Sequence, residues 1–109
     1  MKFKTHNAIV RLNLDGTCLQ GEITISYARL CKLFGQPLPG DGDKTNAEWE
    51  LEFEDGTVAS IYNWKNGKTY DCENGIDTEK IRKWNIGGHS KMAVDKVIEV
   101  TKSKYFRYF

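Results

Sequence analysis

The sequence predicts an α+β fold: an antiparallel sheet of two or more hairpins, with two helices packed on one face. Three observations carry this. Alternating apolar and polar stretches flank Asp15-Gly16, Asp55-Gly56 and Asn66-Gly67, dipeptides suited to tight hairpin turns. Tyr27, Leu30, Cys31 and Phe34 recur at helical spacing, as do Ala93, Val94, Val97, Ile98 and Thr101. The chain has 109 residues, which fits a single domain over 1–109 able to bury a core without metal or disulfide staples. The expected order is β-β-α-β-β-(β)-β-α.

The first hairpin is expected over residues 8–14 and 17–25. A two-residue turn at Asp15-Gly16 sets Leu14 opposite Thr17, Leu12 opposite Leu19 and Val10 opposite Gly21. The side-chain period of two then places Val10, Leu12, Leu14, Leu19, Ile23 and Ile25 on the core face, with Arg11, Asn13, Cys18, Gln20 and Glu22 opposite. Ser26 is placed to cap a helix of about nine residues, and Gly35 and Pro37 stop it. Residues 36–46 hold two prolines and two glycines and read as a loop.

In the central hairpin, a two-residue turn at Asp55-Gly56 pairs Phe53 with Val58, Leu51 with Ser60 and Trp49 with Tyr62. Trp49, Leu51, Phe53, Val58, Tyr62 and Trp64 then share the core face. Glu48, Glu50, Glu52 and Glu54 line the other, either solvated or covered by a partner's lysines. Asn66-Gly67 turns a short strand, 68–70, back along 61–65. Residues 71–80 read as a loop with a helical turn from Thr78-Glu79. Residues 84–86 form the last strand, ending at Gly87-Gly88. Ser90 caps the second helix, whose wet face carries Lys91, Asp95, Lys96, Glu99 and Lys102. Tyr105-Phe106-Arg107-Tyr108-Phe109 has four aromatics in five residues; it packs on the body as an added strand, or on a partner.

Composition excludes several classes. Sixteen basic residues against fifteen acidic ones give +1, so the overall charge resembles neither that of a polyanion-binding protein nor that of an acidic DNA mimic. No apolar run approaches the ~20 residues of a membrane helix, and the first residues lack a signal-peptide core. A cytoplasmic location and no membrane partner are expected. Cys18, Cys31 and Cys72 are odd in number and widely spaced, which reads as reduced thiols rather than a zinc site. Cys31, on a helix stripe, reads as a small core residue.

Three constellations bear on chemistry. Asp41-Gly42-Asp43-Lys44-Thr45 starts like a calcium loop, but Asn46 replaces the sixth-position glycine and a strand follows, so a solvated turn is the better reading. Gly87-Gly88-His89-Ser90 opens a helix, where free amides can receive a phosphate; the alternative is a plain strand-to-helix turn. His89 has no visible nucleophile or orienting acid to form a triad. The C-terminal third is basic, and Trp84, Tyr105 and Phe106 are candidates to stack bases, with nucleic acid a lesser expectation.

Gly40-Asp41-Gly42-Asp43-Lys44-Thr45, Ala47-Glu48-Trp49, then Phe53, Asp55-Gly56-Thr57-Val58-Ala59, Ile61-Tyr62 and Trp64-Lys65, then Trp84, Ile86-Gly87-Gly88 and Ser90, together resemble a family of small bacteriophage proteins of uncharacterised function. The resemblance spans 27–97. It implies a phage accessory product that binds a host component, and it transfers no catalytic role. The leading expectation is therefore a non-enzymatic phage protein that binds and inhibits or modulates a host protein, an anti-defence factor being one form. Its binding residues are expected at Asp41, Asp43, Lys44 and Thr45 with Gly87, Gly88, His89 and Ser90. The alternative is a binder of a small phosphorylated ligand such as a signalling nucleotide, its phosphate on Gly87-Gly88-His89-Ser90 and its base on Trp64 or Trp84. A third is a metal-dependent enzyme using Asp41, Asp43, Glu48 and His89. No cofactor is called for, and the aromatic tail offers a route to a homo-oligomer.

Overall fold

The computed structural model describes residues 2–6 and 12–109. Its elements are β1 (Phe3–Thr5), β2 (Cys18–Thr24), α1 (Tyr27–Phe34), β3 (Leu38–Pro39), β4 (Ala47–Phe53), β5 (Val58–Tyr62), α2 (Lys68–Asp71), β6 (Lys83–Gly88), α3 (Met92–Thr101) and β7 (Phe106–Tyr108). Among the described residues the strands form one antiparallel sheet, ordered β1-β4-β5-β6-β2-β7, with β3 also against β4. The fold is α+β, as expected.

Both longer helices lie on one face. Ser26 accepts the Arg29 amide at the start of α1, and Gly35, at φ 85°, closes its end through the Cys31 carbonyl. Tyr27 packs on Trp49 and Trp84, and Phe34 on Phe3. Trp49 and Trp84 meet edge to face at 5.3 Å, and their indole N–H groups donate to the carbonyls of Gly35 and Ile25. Ala93, Val94, Val97 and Thr101 of α3 are buried on the same core as Ile23, Leu51, Ile61 and Ile86. Gly88 is required there, since a Cβ would sit 2.4 Å from the Ala93 methyl.

Four expectations are corrected. First, β2 pairs with β6 and β7. The Asp15-Gly16 turn does form, with Thr17 donating to Leu14, but 12–14 is not strand, and the rest of the expected partner strand, 8–11, lies outside the described residues. A bulge between Leu19 and Gly21 swaps the side chains before it. Gln20 is therefore buried, accepting from Lys91 and donating to the Gly88 carbonyl, while Leu19 is exposed.

Second, the central hairpin is shifted by one residue: Trp49 pairs with Ile61 and Glu48 with Tyr62. The loop has three residues rather than two. Gly56 donates to Phe53, Phe53 donates to Thr57, and Gly56 takes φ 89°, a type I turn closed by a left-handed glycine. Because the side-chain period is two, this slip puts Ala59, Ile61 and Asn63 on the core face. It sends Val58, Ser60, Tyr62 and Trp64 to the face opposite the helices.

Third, Glu50 is not solvated. It is 2% exposed and accepts the Leu12 amide, because 12–17 crosses this face of the sheet. Fourth, 68–70 is helical rather than strand, and Gly67 instead bridges to Ile76. The strand ending at Gly87-Gly88, the helical turn from Thr78 and the added strand from the aromatic tail are all present. No helix of the described residues is long and apolar enough to cross a membrane.

Candidate functional site

With this register, the face that carries Tyr62 and Trp64 holds a cavity of about 470 Å³. Its floor is Ser60 and Tyr62 of β5, Gly87 of β6 and Glu48 of β4. One wall is Leu14, Thr17 and Cys18; the other is Pro39, Gly40, Asp41 and Thr45, with Trp64 at the rim. The Tyr62 and Trp64 rings stand at 81° with centroids 6.5 Å apart. Gly87 leaves room for this floor, as a Cβ there would lie 2.6 Å from the Ser60 hydroxyl.

Burial raises the Tyr62 phenol above its ordinary pKa, its hydrogen bond to Asn85 works against that, and the Glu48 carboxylate raises it further. The ring is thus a neutral hydroxyl at pH 7. Trp64 is 47% exposed, with the ammonium groups of Lys44 and Lys65 at 5.6 and 5.8 Å from its centroid. The cavity thus joins two aromatic rings to the carboxylates of Asp41 and Glu48.

The acidic loop forming one wall is fixed from within. Asp41 accepts the amides of Asp43 and Thr45 at 2.9 and 3.0 Å, and the Thr45 hydroxyl accepts the Asp41 amide at 2.7 Å. These backbone bonds, that to Thr45 first, hold the Asp41 carboxyl below its ordinary pKa. Gly42 takes φ 82°, and a Cβ on Gly40 would meet the Thr45 carbonyl at 2.1 Å. Below the loop, Asn63 is fully buried. Its Oδ1 accepts the Asn46 and Ala47 amides, and its Nδ2 donates to the side-chain oxygens of Asn46 and Asn66. The Asp-Gly-Asp-Lys-Thr order thus has a folding reason at Asp41, Gly42 and Thr45.

The structure brings only part of the expected site together. Asp41, Thr45 and Gly87 line the cavity, and Lys44 touches it through Trp64. Asp43 is exposed on the loop and does not line it. Gly88 points the other way, into α3. His89 and Ser90 line a separate hollow of about 300 Å³ with Asp55, Thr57 and Met92. The first-turn amides of α3 are used internally: Met92 donates to the Ser90 hydroxyl, Ala93 to the Ser90 carbonyl, and Val94 and Asp95 to the Lys91 carbonyl. The amides of Met92, Ala93, Val94 and Asp95 thus have acceptors within the chain, and Gly87 and Gly88 face opposite sides of the sheet. Trp84 is fully buried and has no face for a base. Asp41 and His89 lie in different depressions, and among the described residues no three His, Cys, Asp or Glu side chains form a metal-holding group.

Sequence reasoning missed Tyr62 and Cys18 as site residues, and named Trp64 and Glu48 only in the alternative readings, as a base stack and as a metal-site residue. The signal for Tyr62 and Trp64 was the hairpin loop, since Glu54-Asp55-Gly56 also fits a three-residue turn. No protein-family model, curated protein or solved structure matches this chain.

Proposed function

We propose that the protein is a non-enzymatic binding protein, an accessory product of bacteriophage type that engages a host protein in the cytosol and inhibits or modulates it, as an anti-defence factor would. The carrying observation is the cavity with its perpendicular Tyr62 and Trp64 rings beside Glu48 and Asp41. The residues behind the phage resemblance also build this cavity: Gly40, Asp41, Thr45, Glu48, Tyr62, Trp64 and Gly87 belong to both.

The chemistry favours an apolar or aromatic side chain from the partner. Trp64 is half exposed, and the ammonium groups of Lys44 and Lys65 at its face offset the carboxylates of Asp41 and Glu48. An aromatic anchor in a fixed setting is also where binding energy concentrates in protein interfaces. Affinity capture from host lysate tests this with wild type, Trp64→Ala and Glu99→Ala, the last an exposed change on α3. A host protein retained by wild type and Glu99→Ala but lost with Trp64→Ala is expected. Capture that yields nothing, or is indifferent to Trp64, contradicts the proposal.

A further inference from the structure

A second surface lies at the other end of β2, six residues and so ~20 Å along the strand from Cys18. Two adjoining depressions of about 430 and 360 Å³ share Thr24, Lys104 and Tyr105. Around them stand Arg29, Arg82, Lys83, Lys102, Lys104 and Arg107, with Glu22 as the one acid. Glu22 is paired with Arg107 at 3.4 Å. Among the described residues, Arg29, Arg82, Lys83, Lys102 and Lys104 make no ion pair. The chain as a whole carries +1, so six cations against one acid is a strong local concentration.

Between the depressions stands Tyr105, 72% exposed. Its backbone is pinned while its ring is not. The Tyr105 carbonyl accepts the Thr24 amide at 2.8 Å, and its amide donates to the Ser103 hydroxyl, which donates to the Thr24 carbonyl. Arg82 is anchored likewise, its carbonyl accepting the Ile25 amide. Phe106 beside it is also exposed. Cations flanking a projecting aromatic ring suit a chain of phosphates whose bases are free to stack.

We infer that this face binds single-stranded nucleic acid, the cations holding phosphates and Tyr105 stacking a base. The inference does not depend on the cavity, and of the stacking candidates Trp84, Tyr105 and Phe106 it takes Tyr105, since Trp84 is fully buried. The test is fluorescence anisotropy with a labelled oligothymidylate of ~15 nucleotides, starting near ~50 mM salt. Saturable binding is expected, falling with salt at a slope of about −0.7 per phosphate engaged. Combined Arg82→Glu and Lys104→Glu should weaken it by about tenfold or more. Tyr105→Ala should weaken it by about fivefold to a hundredfold. Lys2→Glu combined with Lys68→Glu, reversals of two exposed lysines elsewhere on the chain, matches the change in net charge. No binding at low salt, equal loss with that pair, or equal affinity for polyglutamate each overturns the inference. Indifference to Tyr105→Ala overturns the stacking role.

Discussion

Asp41 and Thr45 hold each other reciprocally: the Asp41 carboxylate accepts the Thr45 amide, and the Thr45 hydroxyl accepts the Asp41 amide. The pair shapes the wall of the aromatic cavity, so an acidic loop that looks like a ligand site is first a rigid support. Asp55 does similar work in the hairpin loop, accepting the Thr57 amide and pairing with Lys96 of α3 at 3.0 Å.

These two carboxylates give stability a definite pH dependence. Asp41 is lowered chiefly by the Thr45 amide, and Asp55 by the Thr57 amide to about 2. Folding weakens their proton affinity, so the unfolded chain takes up protons first as pH falls. Their contribution is present above the ordinary value of 3.8 and is lost as pH drops toward about 2. Thermal melts should show Tm falling through this window, and falling less steeply in Asp41→Asn with Asp55→Asn. An unchanged slope in the double variant contradicts this.

Asn63 is the buried support beneath the loop, and all its hydrogen-bonding groups are used. Asn63→Ala leaves the Asn46 and Ala47 amides without that acceptor. A loss of about 3 kcal/mol in urea unfolding is expected, from two deprived amides at ~1–3 kcal/mol each. A loss below about 1 kcal/mol would show that the loop relaxes onto other partners.

Gly88 is a packing glycine. Gly88→Ala pushes a methyl against Ala93 and should cost about 1–3 kcal/mol. Adding Ala93→Gly removes the clash, so the double variant should recover part of the loss despite the poorer helix former. Additive losses in the two single variants would place the strain elsewhere.

Local signals made much of the fold legible. The Ser26 cap with Gly35, the apolar stripe of α3 and the aromatic tail are short-range patterns, and the structure contains each. What stayed hidden was set by one-residue events and by long-range cover. The third loop residue at Gly56 and the bulge at Gln20 each swap faces, because strand side chains alternate. The first swap turned Tyr62 and Trp64 from apparent core into cavity residues, so the cavity stayed hidden with the register. Burial of Glu50 depends on 12–17 lying across the sheet, which no property of the glutamate run announces. Asp41 and Thr45 were legible as an unusual loop, but their mutual bonding is a three-dimensional fact.

The most direct test of the binding account is site-specific photocrosslinking in host cells. A benzophenone amino acid is placed at position 64, on the cavity rim, or at position 99, on the exposed face of α3. The account predicts one discrete host-protein adduct from position 64, competed by excess unlabelled wild type, and none from position 99. Adducts of the same identity from both positions, or from neither, would contradict it.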